Sequence, residues 1–361
     1  MMRHSRIAVA VYLATALLSL AGCGSEASAP ADNHADVDLG QPPAPGPAQP
    51  GDSGASVAFA MDRLFLGDTD RDGNKAAGTW KEYGLNLDGL VSSAASTGLC
   101  KPVTGAEPSD IYPDGAGGID NSFGKNLVGL IATLLSDPST RVSDAIANGD
   151  FTVILKIDGL GERSSYNPLT AKLYGGATLG AAPAWDGSDR WPVVPELLGD
   201  AQDIESARVV FPDSYVVDDT WVSGTQPQGT FKLNLTISNN TIGLTISNLR
   251  ITMELTPDHK SVVKGTIAGV LETGVLVEEL RSVIGTIEPS FCESTGLDST
   301  LDQVRRASDI MKDGGQDPGQ ECNAISIGIG FTAREVQLGD IAPPAEATST
   351  ACGEAAPTDG G

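Results

Sequence analysis

Positive charge is scarce in this chain: 23 Lys and Arg face 47 Asp and Glu, for a formal charge of −24 over 361 residues. Binding to a phosphate backbone needs clustered Lys and Arg, and none cluster here, so nucleic acid is set aside as a partner. Histidine is scarcer still. Of three, His4 and His34 lie in N-terminal segments that do not read as folded, which leaves His259 in the turn-like stretch Thr256 to Lys260. No Gly-x-Ser-x-Gly elbow, phosphate loop or dinucleotide fingerprint occurs, and this excludes the common routes to serine-hydrolase and nucleotide chemistry. Nor is there a Cys-x-x-Cys pair or a histidine near a cysteine to hold zinc. The uncharged apolar run Ile7 to Leu20 is about 14 residues long, short of the roughly 20 that a helix needs to cross a bilayer core.

That run is informative for another reason. Arg3 and Arg6 precede it, and it closes on Leu20, Ala21, Gly22 and Cys23, which gives a basic region, an apolar region and a small-residue cleavage zone in order. The Leu-Ala-Gly-Cys ending resembles the lipobox of bacterial lipoproteins. That resemblance covers about the first 23 residues and implies a signal peptide over residues 1–22, cleavage before Cys23, and acyl chains such as palmitate on that cysteine. Two or three chains hold a protein at a membrane stably. The next residues are Gly24 and Ser25, with no retaining Asp, so the resemblance implies an outer-membrane destination, on either its periplasmic or its surface face.

Residues 23–55 carry the lipid site and then a stretch rich in Pro, Ala, Gly and Asp, including Gln41 to Pro50. Such a composition buries too little apolar surface to offset its ordering entropy and predicts a disordered tether. Residues 343–361 read the same way. Between them, residues 56–342 form a single β-rich domain. With Cys23 committed to lipid, Cys100, Cys292, Cys322 and Cys352 remain, an even number suited to two disulfides in an oxidising compartment. Cys292 with Cys322 is the favoured pair because the two bracket one amphipathic helix. Cys100 with Cys352 then follows by elimination.

Period-2 alternation marks strands at Phe151 to Ile157, Phe231 to Ile237, Ile242 to Ile246, Leu249 to Leu255 and Ile325 to Phe331. The pattern slips at Ser247-Asn248, as a bulge or tight turn would make it. Helical spacing appears at Phe123, Leu127, Leu130, Ile131 and Leu134, at Leu276, Leu280, Val283, Ile284 and Ile287, and at Leu297, Leu301, Val304 and Met311. The fold class that follows is α+β: a predominantly antiparallel β-sheet or sandwich covered by a few amphipathic helices.

The sharpest local motif is Asp68-Thr-Asp70-Arg-Asp72-Gly73-Asn74, with carboxylates on alternate residues before a glycine, a pattern of hard oxygen ligands suited to Ca²⁺. It resembles the start of EF-hand, dockerin and thrombospondin type 3 calcium loops. Lys75 and Thr79 depart from the EF-hand pattern, so the reading is a non-EF calcium loop with Asp68, Asp70, Asp72 and Asn74 as ligands, set against a solvated acidic turn. Asp114, Asp120 and Asn121 lie in a second acidic, glycine-rich stretch that either adds oxygens to that ion or turns the chain ahead of the helix near Phe123. Trp185, Trp191 and Trp221 share one region, and exposed rings there would stack on a glycan, whereas buried ones would be core. Ser261-Val-Val-Lys264 has S-x-x-K spacing, but the partner motifs of the penicillin-binding family are missing and a strand is the simpler reading.

These features point to a lipid-anchored envelope protein with a non-enzymatic binding or structural role, calcium-stabilised and glycan-contacting. A carrier of lipid or another apolar ligand in a β-rich cavity is the alternative. A carboxylate-based hydrolase comes third.

Overall fold

The computed structural model describes residues 40–134, 136–224, 230–237, 240–287 and 295–344. Cys23, Cys292 and Cys352 lie outside them, as do the signal region and most of the C-terminal stretch. Ten strands form among the described residues: β1 (Ser56–Phe65), β2 (Thr152–Asp158), β3 (Tyr166–Gly176), β4 (Arg190–Val193), β5 (Val209–Val217), β6 (Thr220–Val222), β7 (Phe231–Ile237), β8 (Asn240–Leu255), β9 (Ser261–Glu272) and β10 (Ala324–Ile341). Five α-helices accompany them among these residues: α1 (Pro108–Ile111), α2 (Val128–Leu134), α3 (Pro138–Ala147), α4 (Thr273–Ile287) and α5 (Thr295–Arg306). None of these helices is long and apolar enough to cross a membrane.

The strands build an α+β fold on a mostly antiparallel sheet, and the pairings run in a circuit. β1 pairs with β2, β2 with β3, β3 with β5, β5 with β6, β6 with β8, β8 with β9, β9 with β10, and β10 returns to β1, every contact antiparallel. Eight strands therefore close on themselves as a barrel, a solution that leaves few free edges. The slip at Ser247-Asn248 is a register shift between β8 and β9, with Asn248 at φ 49°. Alternation sends one set of side chains inward. Phe59 and Met61, Val153, Leu155 and Ile157, Leu173, Phe211, Trp221, Ile251 and Met253, Ile267, and Ile325 to Phe331 on alternate residues all belong to one buried cluster. An eight-stranded barrel is just wide enough for side chains to fill, and this one is filled.

The helices gather at one end. Leu276 of α4, Leu301 and Val304 of α5, and Phe123 and Leu127 of a π-turn ahead of α2 meet Leu244 of β8 around a space of only about 40 Å³. Met311, read as part of the third helix, lies beyond α5 against Cys100 and Cys322. The helix α3 has no counterpart among the spacing patterns above. It packs Val142 and Ile146 into the core, and its Ser139 and Ser143 hydroxyls accept the N–H groups of Leu66 and Leu64.

The outward face of the barrel is also covered. β4 lies parallel to the end of β10 and touches Gly176 of β3, so that Trp191 and Val193 close over Ala58, Ala60, Ile154 and Tyr174. The long connection between β1 and β2 covers β9 and β10.

The Pro-rich stretch differs from its expectation. From Gly40 to Ala55 it is laid on the barrel instead of hanging free. Gln49 and Asn167 exchange both backbone hydrogen bonds at 2.7 Å, Asn86 N–H donates to the Gly40 carbonyl at 2.6 Å, and Tyr215 Oη donates to the Pro43 carbonyl at 2.6 Å. Proline cannot donate a backbone proton, but its carbonyl still accepts, and its fixed φ lowers the entropy lost on docking.

Candidate functional site

The residues singled out by sequence fall into four places. At the Asp68–Asn74 loop, Thr69 and Lys75 form an isolated antiparallel bridge and the turn closes on Asp70. The Asp70 carboxylate accepts N–H groups from Asp72 (2.9 Å) and Asn74 (2.8 Å), together with the Asn74 amide group, and the Asn74 N–H chiefly holds its pKa below the usual carboxylate value. Asp68 turns away to the Ser139 hydroxyl on α3. Among the described residues, no three His, Cys, Asp or Glu side chains are grouped as metal ligands. Arg71 reaches inward between the carboxylates. Its guanidinium donates to the carbonyls of Phe331 (3.3 Å) and Gly265 (3.1 Å) and lies 5.1 Å from the centre of the Tyr83 ring, while burial pulls its pKa down. The loop is thus pinned to the barrel wall by a cation. Beside it is a polar cleft of about 220 Å³ bordered by Asp62, Arg63, Thr69, Ser139 and Asp144.

The second acidic stretch lies apart from that loop and serves another purpose. Asp120 accepts the N–H of Leu87 at 2.6 Å, and Asp114 accepts the N–H of Ser92 at 2.5 Å. Asn121 makes a denser set of bonds. Its amide nitrogen donates to the carbonyls of Trp80, Tyr83 and Gly328, and its amide oxygen accepts N–H groups from Gly124 and Gly328. One side chain therefore ties the Trp80–Tyr83 segment and the turn at Gly124 to β10. Gly328 has to lack a side chain here, because a Cβ would sit 2.3 Å from the Tyr83 carbonyl oxygen.

Next to it is a group the sequence reading missed. Asp309 is buried; its two oxygens take the N–H (2.8 Å) and the hydroxyl (2.5 Å) of Ser326, whose hydroxyl oxygen in turn accepts the N–H of Ser122 (2.8 Å). Burial pushes the Asp309 carboxyl up to about 7 and that of Asp114 to about 6; Asp120 is also raised, by burial and then by the nearby Asp88 and Asp309. A carboxyl that titrates near neutrality suits proton transfer. Asp309 nevertheless spends both oxygens on Ser326, and neither this polar cleft nor the groove described below is lined by Asp114, Asp120 or Asp309. The advance signal was Ser326, a polar residue in the outward row it shares with Gly328, Gly330 and Thr332.

The disulfide corrects the favoured pairing: Cys322 is bonded to Cys100, with Cα atoms 5.1 Å apart, and not to Cys292. The cause is a backbone bridge. Lys101 N–H donates to the Gln320 carbonyl and Cys322 N–H to the Lys101 carbonyl, which sets the two cysteines side by side. Nearness in sequence counts for less than this register.

The tryptophans also need correcting. Trp191 and Trp221 are both fully buried. Trp221 points into the barrel, edge-on to Phe211 with centroids 5.9 Å apart; Trp191, on β4, packs against the outer face of the barrel, 5.5 Å from a half-buried Trp185. The indole nitrogens of Trp191 and Trp221 have no hydrogen-bond partner among the described residues. These two rings are core, so no tryptophan pair is offered to a glycan.

The larger open concavity, about 340 Å³, lies between β7 and the ends of β2 and β3. It is bordered by Thr152, Gly175, Thr178, Glu196, Lys232 and Asn234. Among the described residues β7 pairs on one edge only, with β8.

No protein-family model, curated protein or solved structure matches this chain.

Proposed function

We propose that the chain is a lipid-anchored protein of the outer membrane with a non-enzymatic binding or structural role, and that the groove beside β7 is its contact surface. One observation carries this reading: the chemistry-bearing side chains are spent on holding loops to a solid barrel. Asp309 and Asn121 bind β10, Cys100 and Cys322 bind each other, Lys264 pairs with Glu254, and His259 joins loops. The groove, by contrast, is open and sets hydroxyl, amide and both signs of charge beside the apolar side chains of Phe151, Val194, Leu197 and Phe231, an apolar floor with a few placed polar groups of the kind on which sugar rings pack. A carrier role is not favoured, since the barrel interior is filled by side chains.

Amide shifts of Phe231 to Asn234 and Gly175 to Thr178 should move on titration with cell-wall glycan fragments. If every fragment leaves them in place, the groove is not the contact surface. Cys23→Ser should leave the protein in the aqueous fraction and abolish acyl labelling; retention at the membrane would remove the anchor. Calcium at Asp68, Asp70, Asp72 and Asn74 should raise the melting midpoint relative to chelator, and an equal midpoint would remove the ion from the proposal.

A further inference from the structure

The end of the barrel away from the helices is closed by loops that meet on one imidazole. His259 sits in the turn between β8 and β9 at φ 52°, with 3% of its side chain exposed. Its Nδ1 is 2.6 Å from the carbonyl oxygen of Gly161, in the loop joining β2 to β3. Its Nε2 is 3.1 Å from Oδ1 of Asp219, in the turn joining β5 to β6. A carbonyl oxygen has no proton to give, and neither has an ionised carboxylate. A neutral imidazole carries one N–H and can satisfy one of these partners; an imidazolium donates to both.

From this we infer that His259 is a proton-operated clasp, whose second proton holds the β2–β3, β5–β6 and β8–β9 connections together across the barrel mouth and whose loss lets one of them go. The surrounding bonds show what would be released. Asp219 N–H donates to the Ser164 carbonyl and Leu255 N–H to the Asp219 carbonyl. Tyr166 Oη accepts the N–H groups of Gly161 and Arg163 and donates to Asp52, so the clasp continues into the docked Pro-rich stretch.

Charged neighbours come from every element at this mouth. The β5–β6 turn brings Asp218 and Asp219, and the β2–β3 loop brings Glu162 and Arg163, the latter paired with Asp52. The turn of His259 itself carries Asp258, which accepts from Thr256 and the Lys260 N–H, and Lys260, whose carbonyl accepts the N–H of Glu335 on β10.

The sign follows from the two ring contacts. Both bonds are made together only by the doubly protonated ring, so the clasp is closed at low pH and opens as pH rises. Ring ¹⁵N shifts of the full-length protein, assigned by comparison with His259→Gln so that His4 and His34 are separated, read the protonation state directly. The expected result is an imidazolium at low pH. On its deprotonation the amides of Asp219, Leu255 and Arg163 should exchange at least tenfold faster, after correction for intrinsic rates, while those of the β9–β10 ladder do not. Asp219→Asn, which keeps the shape and removes the charge, should move that opening to lower pH. A ring that is neutral with one bare nitrogen from pH 5 to 9 overturns the inference. So does an unchanged pH response in His259→Gln.

Discussion

On β10 the inward residues Ile325, Ile327, Ile329 and Phe331 and the outward residues Ser326, Gly328 and Gly330 are all buried, yet the two rows are held by different physics. Inside, burial is a matter of volume: apolar side chains from eight strands fill the barrel, and no single contact is directional. Outside, side chains shrink to a hydroxyl or nothing, because another layer of backbone has to approach. A Cβ on Gly330 would lie 2.5 Å from the Tyr83 ring. That layer is attached by named hydrogen bonds through Asn121, Asp309 and Arg71, which lose their strength when one partner goes. The same strand thus serves as part of a core on one side and as a docking rail on the other.

The contrast can be sharpened by removing one member of each row's support. Phe331→Ala should cost about 3–5 kcal/mol, the usual range for emptying a buried aromatic site, and should lower the denaturation midpoint for all probes together. Gly265, which faces the Phe331 ring, offers nothing to fill the space. Asn121→Ala should cost somewhat less, about 2–4 kcal/mol, by leaving buried groups of Tyr83 and Gly328 unpaired. Its signature should be local: hydrogen exchange of residues 66–122 should rise while the ladder of β9 and β10 stays protected. If both variants open the molecule uniformly, rail and core are one cooperative unit and the distinction fails.

The inner row was legible in the sequence because alternation reports directly on which side chains are apolar, and Phe151 to Ile157 and Ile325 to Phe331 form strands where that period places them. Closure into a barrel was not legible, since it depends on pairings such as β1 with β10 that span most of the chain. The outer layer was nearly silent for a different reason. Asn121 and Asp309 look like any polar residue of a loop until the segments they join are brought together. The same blindness affected Cys100 with Cys322, separated by 222 residues and aligned by a bridge at Lys101. The tryptophans misled because local loop chemistry around Trp185 to Trp191 says nothing of the sheet that covers Trp191. In the Pro-rich stretch, composition was read as freedom, although its carbonyls were available to Asn86, Asn167 and Tyr215.

The smallest of the three effects tests whether the outer rail carries an electrostatic cost that the inner row lacks. Asp309 and Asp114 bind their protons more tightly in the folded chain, with values of about 7 and 6 against an ordinary 3.8. Their contribution is therefore complete below about pH 4 and is withdrawn as pH rises through 7, the part lost between pH 5 and 8 being roughly 2–3 kcal/mol for the buried Asp309. Asp309→Asn keeps one oxygen for the Ser326 N–H and presents an amide group to the Ser326 hydroxyl, which can accept in place of donating. The variant should match the parent within about 1 kcal/mol at pH 5 and exceed it in stability at pH 8, with a flatter melting midpoint between them. Phe331→Ala should leave the parent's pH slope unchanged. A parent and an Asp309→Asn variant with parallel slopes would mean that the carboxyl is already ionised when buried, and the bond to Ser326 would then be strong enough to hold a charge where no water reaches.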